Sequence, residues 1–271
     1  MADPPPGAFP EAEHRARLAR LQAGLGNAGL DAVLLTGAAD IFWLTGFLTR
    51  FWESPARPWF VVVPAAGDPV AVIPAIGQAL MARTWLTDIR TWDAPDPRDD
   101  GVSLLAQALA DAVPPGGRLG LPRGAETHLR MPLADWEALR AGLPDRSLGD
   151  ATGALHRARE IKSEAEIARI RTACAIAGRA FAAVPGIARA GRPLDAVFRD
   201  FQSALLAEGA DWVSYVAGGA GQDGYGDVIS PADARPLAPG DVLMLDTGAV
   251  RDGYFCDFDR NWAIGPASPA A

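Results

Sequence analysis

The chain has 271 residues, 49% of them hydrophobic, which is enough to build one large domain or two ordinary ones with substantial cores. Its formal charge of -8 and pI near 4.9 exclude a nucleic-acid binder, because phosphate recognition needs clustered Lys and Arg. Cys174 and Cys256 are too few for a disulfide framework and lack metal-ligand spacing, so both are expected to be reduced thiols, with Cys256 half-buried in a strand.

The opening MADPPPGAFPEAEH has neither the basic n-region nor the apolar h-region of a signal peptide. The most apolar stretch, Trp59 to Ala82, is broken by Pro64, Asp68, Pro69 and Pro74, so a cytoplasmic protein with no membrane partner is expected. Residues 11–29 read as a helix with Leu18, Leu21 and Leu25 on one face, ending near Gly29. DAVLLTG (31–37), WFVVVPA (59–65) and DPVAVIPA (68–75) are apolar or β-branched runs bounded by turn residues, and read as strands. Residues 103–113 return to helical spacing, 117–122 form a short strand and 133–142 another helix. Strands alternating with helices predict an α/β domain over residues 1–150.

A helix-rich segment opens the second domain, 151–271. SEAE at Ser163 has the form of a capping box, and Ile167, Ile170, Cys174, Ala177, Phe181 and Val184 form an amphipathic stripe expected to stop at Pro185 and Gly186. A helix from Pro193 to about Ala207 turns Val197, Phe198, Phe201 and Leu205 inward and ends at Gly209, and residues 211–264 are strands and turns. GAGQDG (219–224) fits G-x-G-x-x-G, but no helix follows it, so it reads as a glycine-rich loop and not a nucleotide site.

DVLMLDTG (241–248) and YFCDFDRNWAI (254–264) are both strand-like, with the turn-forming Asp252-Gly253 between them. A hairpin centred between Arg251 and Asp252 sets Asp246 opposite Asp257, with Cβ atoms about 4.5–5.5 Å apart. A type I′ turn on Asp252-Gly253 sets Asp259 there instead, and the spacing leaves both registers open. Facing carboxylates in an apolar sheet repel, and persist if protonated, paired or bridged by a cation. A divalent metal is the economical explanation, and hard oxygen donors suit Mn, Co, Zn or Mg; a structural acidic turn is the alternative. An acid protease needs two Asp-Thr-Gly loops, and this chain has one.

LAPGDVLMLDTGAVRDGYFCDFDRNWAIG resembles the first metal hairpin of the pita-bread metallopeptidases, the group of methionine aminopeptidase, aminopeptidase P, prolidase and the non-metal enzyme creatinase. DAVLLTGAADIFWLTGF (31–47) resembles the N-terminal domain of creatinase and aminopeptidase P, with Asp40 where Asn is frequent. REIKSEAEIARIRTACAIAGRAF (159–181) resembles the helix that opens the pita-bread domain. The resemblance implies an α/β creatinase-like N-terminal domain followed by the first part of an α+β pita-bread domain. It places the metal ligands on Asp246 and Asp257, with Arg260 where these enzymes often carry Arg.

It further implies Xaa-Pro hydrolysis at two divalent metal ions (Mn, Co or Zn), a small peptide or small amide substrate, and a homodimer when complete. A creatinase-like hydrolase of another small amide, or an inactive dimerisation module on the same fold, are the rival readings. The family's site takes two Asp, one His and two Glu, whereas this chain has no His after His156 and no Glu after Glu208, so a chain truncated at its C-terminus, a frameshifted one or a degenerate member is expected. His14, His128 and His156 are read as surface or packing residues. The family's loop His before the first Asp is missing from residues 215–237, where Tyr225 and Asp227 are the polar candidates to replace it.

Overall fold

The structure is a computed structural model that describes residues 8–54 and 58–267. The Pro-rich lead up to Gly7 and the closing residues 268–271 lie outside them. The chain divides into two compact units, Met1–Ile161 and Lys162–Ala271. The helix Thr152–Glu160 therefore stays with the first unit, and the division falls beyond the residue 150 that the strand–helix alternation suggested.

The first unit runs α1 (Glu11–Asn27), β1 (Ala32–Leu35), α2 (Ala38–Thr45), β2 (Phe60–Pro64), β3 (Val70–Pro74), a 3-10 turn and α3 (Gln78–Met81), β4 (Asp88–Trp92), α4 (Val102–Ala112), β5 (Arg118–Leu121), α5 (Leu133–Ala141), β6 (Ser147–Asp150) and α6 (Thr152–Glu160). Among the described residues its sheet runs in the order β4-β3-β2-β1-β5-β6, with β1, β5 and β6 mutually parallel and β1–β2 and β2–β3 antiparallel. Ala32, Leu34, Phe60, Val62 and Val72 pack into one core with Leu105 and Leu109 of α4 and Leu139 of α5. Their neighbours on the opposite face, Val33, Leu35, Val61, Val63 and Ile73, are also fully buried, which explains why these strands read as continuous apolar runs. The predicted α1 face, Leu18, Leu21 and Leu25, is buried as expected. Helices α1 and α6 meet where a Cβ on Gly24 would stand 3.0 Å from the Ala154 methyl. His14 is buried against Phe9 and Trp85, a packing role, while His128 and His156 are exposed.

The second unit contains α7 (Glu164–Ile187), α8 (Leu194–Ala207), β7 (Trp212–Gln222), β8 (Asp241–Arg251), β9 (Tyr254–Phe255) and β10 (Phe258–Ala263). The capping box forms: Glu166 N–H donates to Ser163 Oγ at 3.2 Å, and Ser163 N–H donates back to Glu166 Oε2 at 2.9 Å. The helix runs on through Pro185 to Ile187, because downstream amides still find acceptors, as Ala188 N–H does on Val184 C=O at 2.8 Å. Its inward stripe is Ala173, Ile176, Ala177, Ala180, Phe181 and Val184, while Ile167 and Ile170 are half-buried. Among the described residues α7 is the helix with the length and apolarity of a membrane span, and its apolar stripe is spent in this core. Val197, Phe201 and Leu205 of α8 join it, with the Phe181 and Phe201 rings 4.9 Å apart.

The sheet order is β10-β8-β7, with β9 pairing β8. On β8, Leu243, Leu245 and Ala249 enter the core, and on β10 Phe258 and Trp262 pack against it. By the period of two, Asp246 and Gly248 of β8 and Asp259 of β10 occupy the opposite face. Gly219 to Gln222, read as loop from the sequence, are instead the last paired residues of β7.

Candidate metal centre

The hairpin corrects the register that set Asp246 opposite Asp257. Arg251 pairs Tyr254, Val250 pairs Phe255 and Thr247 pairs Phe258, so the Cα partner of Asp246 is Asp259. The cause is the turn: Asp252 and Gly253 both take positive φ, 51° and 78°, as a two-residue type I′ loop requires. A Gly in the second central place and an Asp in the first tolerate that conformation with little strain.

Asp246 and Asp257 nevertheless come together, as diagonal neighbours across the ladder. Cys256 N–H still donates to Ala249 C=O at 3.1 Å, but neither Cys256 nor Asp257 is in a strand, and Asp257 lies exposed in the break between β9 and β10. The Tyr215 hydroxyl reaches both carboxylates, donating to Asp257 Oδ1 and lying 3.3 Å from Asp246 Oδ1. One O–H cannot satisfy both, and it serves the nearer one.

The three residues of the Asp-Thr-Gly motif divide this task among themselves. Asp246 offers its carboxylate. Thr247, fully buried, donates its hydroxyl to the Tyr215 carbonyl at 2.9 Å. Gly248 leaves room for the tyrosine ring, since a Cβ there would stand 2.7 Å from Tyr215 Cε1 and 2.6 Å from Ser214 Oγ. Ser214 Oγ in turn donates to Gly248 C=O at 2.6 Å. Both Ser214 and Tyr215 sit at an irregularity between Val213 and Val216 that shifts the β7–β8 register, and such bulges re-aim side chains. Sequence reasoning missed Tyr215, because no local signal announces a bulge; the glycine ending the motif is the nearest clue.

Desolvation pushes the Asp246 carboxyl above the usual carboxylate range and the charge of Asp257 pushes it further, while the Tyr215 hydrogen bond opposes both. Burial, the bond to Asp257 and the charge of Asp246 hold the Tyr215 phenol protonated well beyond its ordinary range. Asp259 acts on Asp246 less strongly than Asp257 does. Arg260 points the other way, 4.8 Å from the Phe258 ring centroid and 5.9 Å from that of Phe181. Asp227 accepts from Ile229 N–H at 3.0 Å and Ser230 N–H at 3.1 Å, so its carboxylate closes its own turn.

Asp241, fully buried at the start of β8, accepts from Ala238 N–H at 2.9 Å, Gln222 Nε2 at 2.8 Å and Arg235 Nη1 at 3.0 Å. Burial alone would raise its pKa, but these donors hold it below the ordinary carboxylate value. The hairpin tip is held from α7: Tyr254 donates its hydroxyl to Glu166 Oε1 at 2.8 Å, and Arg169 Nη1 donates to Asp252 C=O at 3.3 Å. Cys256 is buried, more deeply than expected, and burial pushes its thiol up.

The donor chemistry fits a hard divalent cation in part. Asp246 and Asp257 are oxygen donors converging on one hydroxyl, but no group of three or more His, Cys, Asp or Glu side chains is poised around a metal among the described residues.

Residues 17–161 match the Creatinase/Prolidase N-terminal domain, and residues 168–271 match Metallopeptidase family M24. The chain therefore belongs to the creatinase/prolidase group of M24 metallopeptidases, with a creatinase-like first unit and part of a pita-bread domain as its second. It is 31% identical over 252 residues to the probable dipeptidase PepE of Mycobacterium tuberculosis, covering 92% of this chain and 63% of that protein. The crystal structure of dipeptidase PepE from Mycobacterium ulcerans superposes with a TM-score of 0.77 at 28% identity, over 96% of this chain and 67% of the other. A prolidase from Thermococcus sibiricus shares the fold, with a TM-score of 0.79 at 21% identity, over 94% of this chain and 66% of the other. The chain thus spans about 63% of the length of the curated relatives that it matches first.

Proposed function

We propose that this chain carries the first two metal ligands, Asp246 and Asp257, of a dinuclear hydrolase acting on small peptides of the Xaa-Pro type. The observation that carries the reading is the convergence of these two carboxylates on the Tyr215 hydroxyl, in a chain of the M24 family. PepE of the mycobacteria is described as a dipeptidase, which supports a small peptide as substrate. Bound divalent metals, with manganese the first candidate, would supply a water of lowered pKa and polarise the scissile carbonyl. The protein's own part is to keep the two carboxylates close and aimed, through the Thr247 anchor, the Gly248 gap and the Tyr215 bridge. A cytoplasmic location and a homodimer are further parts of the proposal; family resemblance supports the dimer.

This chain supplies two of the five family ligands, so the expected outcome is weak metal uptake without turnover. Purified chain should take up Mn2+ or Co2+, lose that uptake in Asp246→Asn and Asp257→Asn, and leave Xaa-Pro dipeptides intact. Xaa-Pro cleavage by this chain that Asp257→Ala abolishes would show that the site has been misread. A second reading, hydrolysis of another small amide, is favoured by one observation. Residues 215–237 contain no His, and Asp227, a candidate to replace one, is committed to its turn.

A further inference from the structure

A cavity of about 390 Å3 opens in the first unit, lined in part by residues following β1 (Gly37 to Asp40), residues following β5 (Pro122 to Arg130) and α6. Strands β1 and β5 are adjacent and parallel. The chain leaves β1 through α2 toward β2 on one side of the sheet order, and leaves β5 through α5 toward β6 on the other. The cavity therefore sits outside the carboxyl ends of two strands at the point where the topology diverges, the crevice in which open α/β sheets bind ligands. None of its lining belongs to the hairpin of Asp246.

The lining carries both signs. Arg130 holds its place by its backbone N–H, donating to the buried Thr36 hydroxyl at 2.8 Å, and by Nη2, donating to Ser54 C=O at 3.1 Å. A guanidinium has five N–H donors, so a single side-chain bond of this kind leaves most of its fork available to a ligand. Arg159 spends Nη1 on Asp40 at 2.5 Å, an ion pair that fixes α6 against the first turn of α2. The exposed imidazoles of His128 and His156 line the same cavity, and so do the exposed carboxylates of Glu53 and Glu126. Glu126 takes a positive φ of 60°, a conformation that a non-glycine residue adopts at some cost.

A simple anion would meet Glu53 and Glu126, and a simple cation would meet Arg130 and Arg159. A molecule with both charges satisfies both sets, and a volume of this order suits a free amino acid or a dipeptide. We infer that this crevice binds a small zwitterion bearing one carboxylate and one ammonium group, with Arg130 and the imidazoles on the carboxylate and Glu126 or Glu53 on the ammonium.

The test uses the whole chain in EDTA, so that the Asp246 hairpin holds no metal. Thermal unfolding is followed against the common L-amino acids and glycyl dipeptides at about 10 mM, since a ligand in excess of its Kd must raise the unfolding midpoint. At least one zwitterion should raise it, and the matched deaminated acid and decarboxylated amine should not. Calorimetric affinity for that zwitterion should fall about tenfold or more in Arg130→Gln and in the double variant Glu53→Gln/Glu126→Gln. His156→Gln, at an exposed position, serves as the second variant should Arg130→Gln fail to fold, and should weaken binding in the same direction. Asp246→Asn should bind as the unmodified chain does. The inference is overturned if no zwitterion binds, if the single-charge analogues bind as well, if the crevice variants keep full affinity, or if Asp246→Asn loses it.

Discussion

The two sheets of this protein teach different lessons because one is sealed and the other is not. In the first unit, consecutive residues of β1, β2 and β3 are buried on both faces, from Ala32 to Leu35 and from Phe60 to Val63. In the second, β8 turns Leu243, Leu245 and Ala249 into a core, while its other face presents Asp246 to Tyr215 and Asp257. A sheet closed on both sides offers its chemistry only at strand ends, where the crevice beside Arg130 lies. One with a polar face can carry chemistry along the strand itself.

Paired substitutions of neighbours test this contrast at its largest. Leu34→Ala and Leu35→Ala should each cost about 2–5 kcal/mol in urea denaturation, because both faces of β1 are core. In the second unit Leu245→Ala should cost about as much, whereas Asp246→Ala should cost less than about 1 kcal/mol. A small cost at Leu35 or a large one at Asp246 would remove the distinction.

Acid should also separate the units. His14 is 2% exposed, and burial, helped by the charge of Arg17, lowers its pKa from 6.5 to about 4. A histidine with a depressed folded-state pKa contributes stability that is complete above its unfolded value and is lost as pH falls toward the folded one. The window is therefore about pH 6.5 down to about 4, with roughly 3 kcal/mol at stake. The second unit has no histidine, so this dependence belongs to the first alone. His14→Leu should flatten the stability–pH curve across that window, and an unchanged curve would count against the assignment.

A smaller effect is expected at the hairpin tip. Tyr254→Phe removes the hydroxyl that donates to Glu166, a carboxylate only 2% exposed, and should cost about 1–3 kcal/mol. The smallest effect carries the opposite sign. Because the Asp246 pKa is raised, its ionised form opposes folding above that pKa, so Asp246→Asn should stabilise the metal-free chain at neutral pH by no more than about 1 kcal/mol. Differential scanning calorimetry with and without EDTA reads both.

Local signals carried well from sequence to structure. Ser163 and Glu166 announce their capping box within four residues, and the α1 and α8 stripes are short-range periodicities that the folded chain obeys. Strands β4 and β6 carry weaker signals, because DIRTW and SLGD hold few buried residues. The family pattern anticipated that Asp246 and Asp257 come together, but not the geometry by which they do. The family pattern pointed to Asp246 and Asp257, yet the positive φ of Asp252 and Gly253 sets a ladder in which Asp259 is the true partner of Asp246. Asp257 reaches Asp246 through a strand break, and Tyr215 reaches both from a bulge. Breaks and bulges are settled by packing across three strands, which no single strand's pattern encodes.

That difference between ladder partner and diagonal neighbour gives the most direct test of the central claim. Mn2+ binding, followed by electron paramagnetic resonance in Asp246→Asn, Asp257→Asn and Asp259→Asn, asks which carboxylates act as a pair. The first two variants should each lose the bound ion about as completely as the double variant does, while Asp259→Asn keeps it. Retention in Asp257→Asn together with loss in Asp259→Asn would contradict that claim.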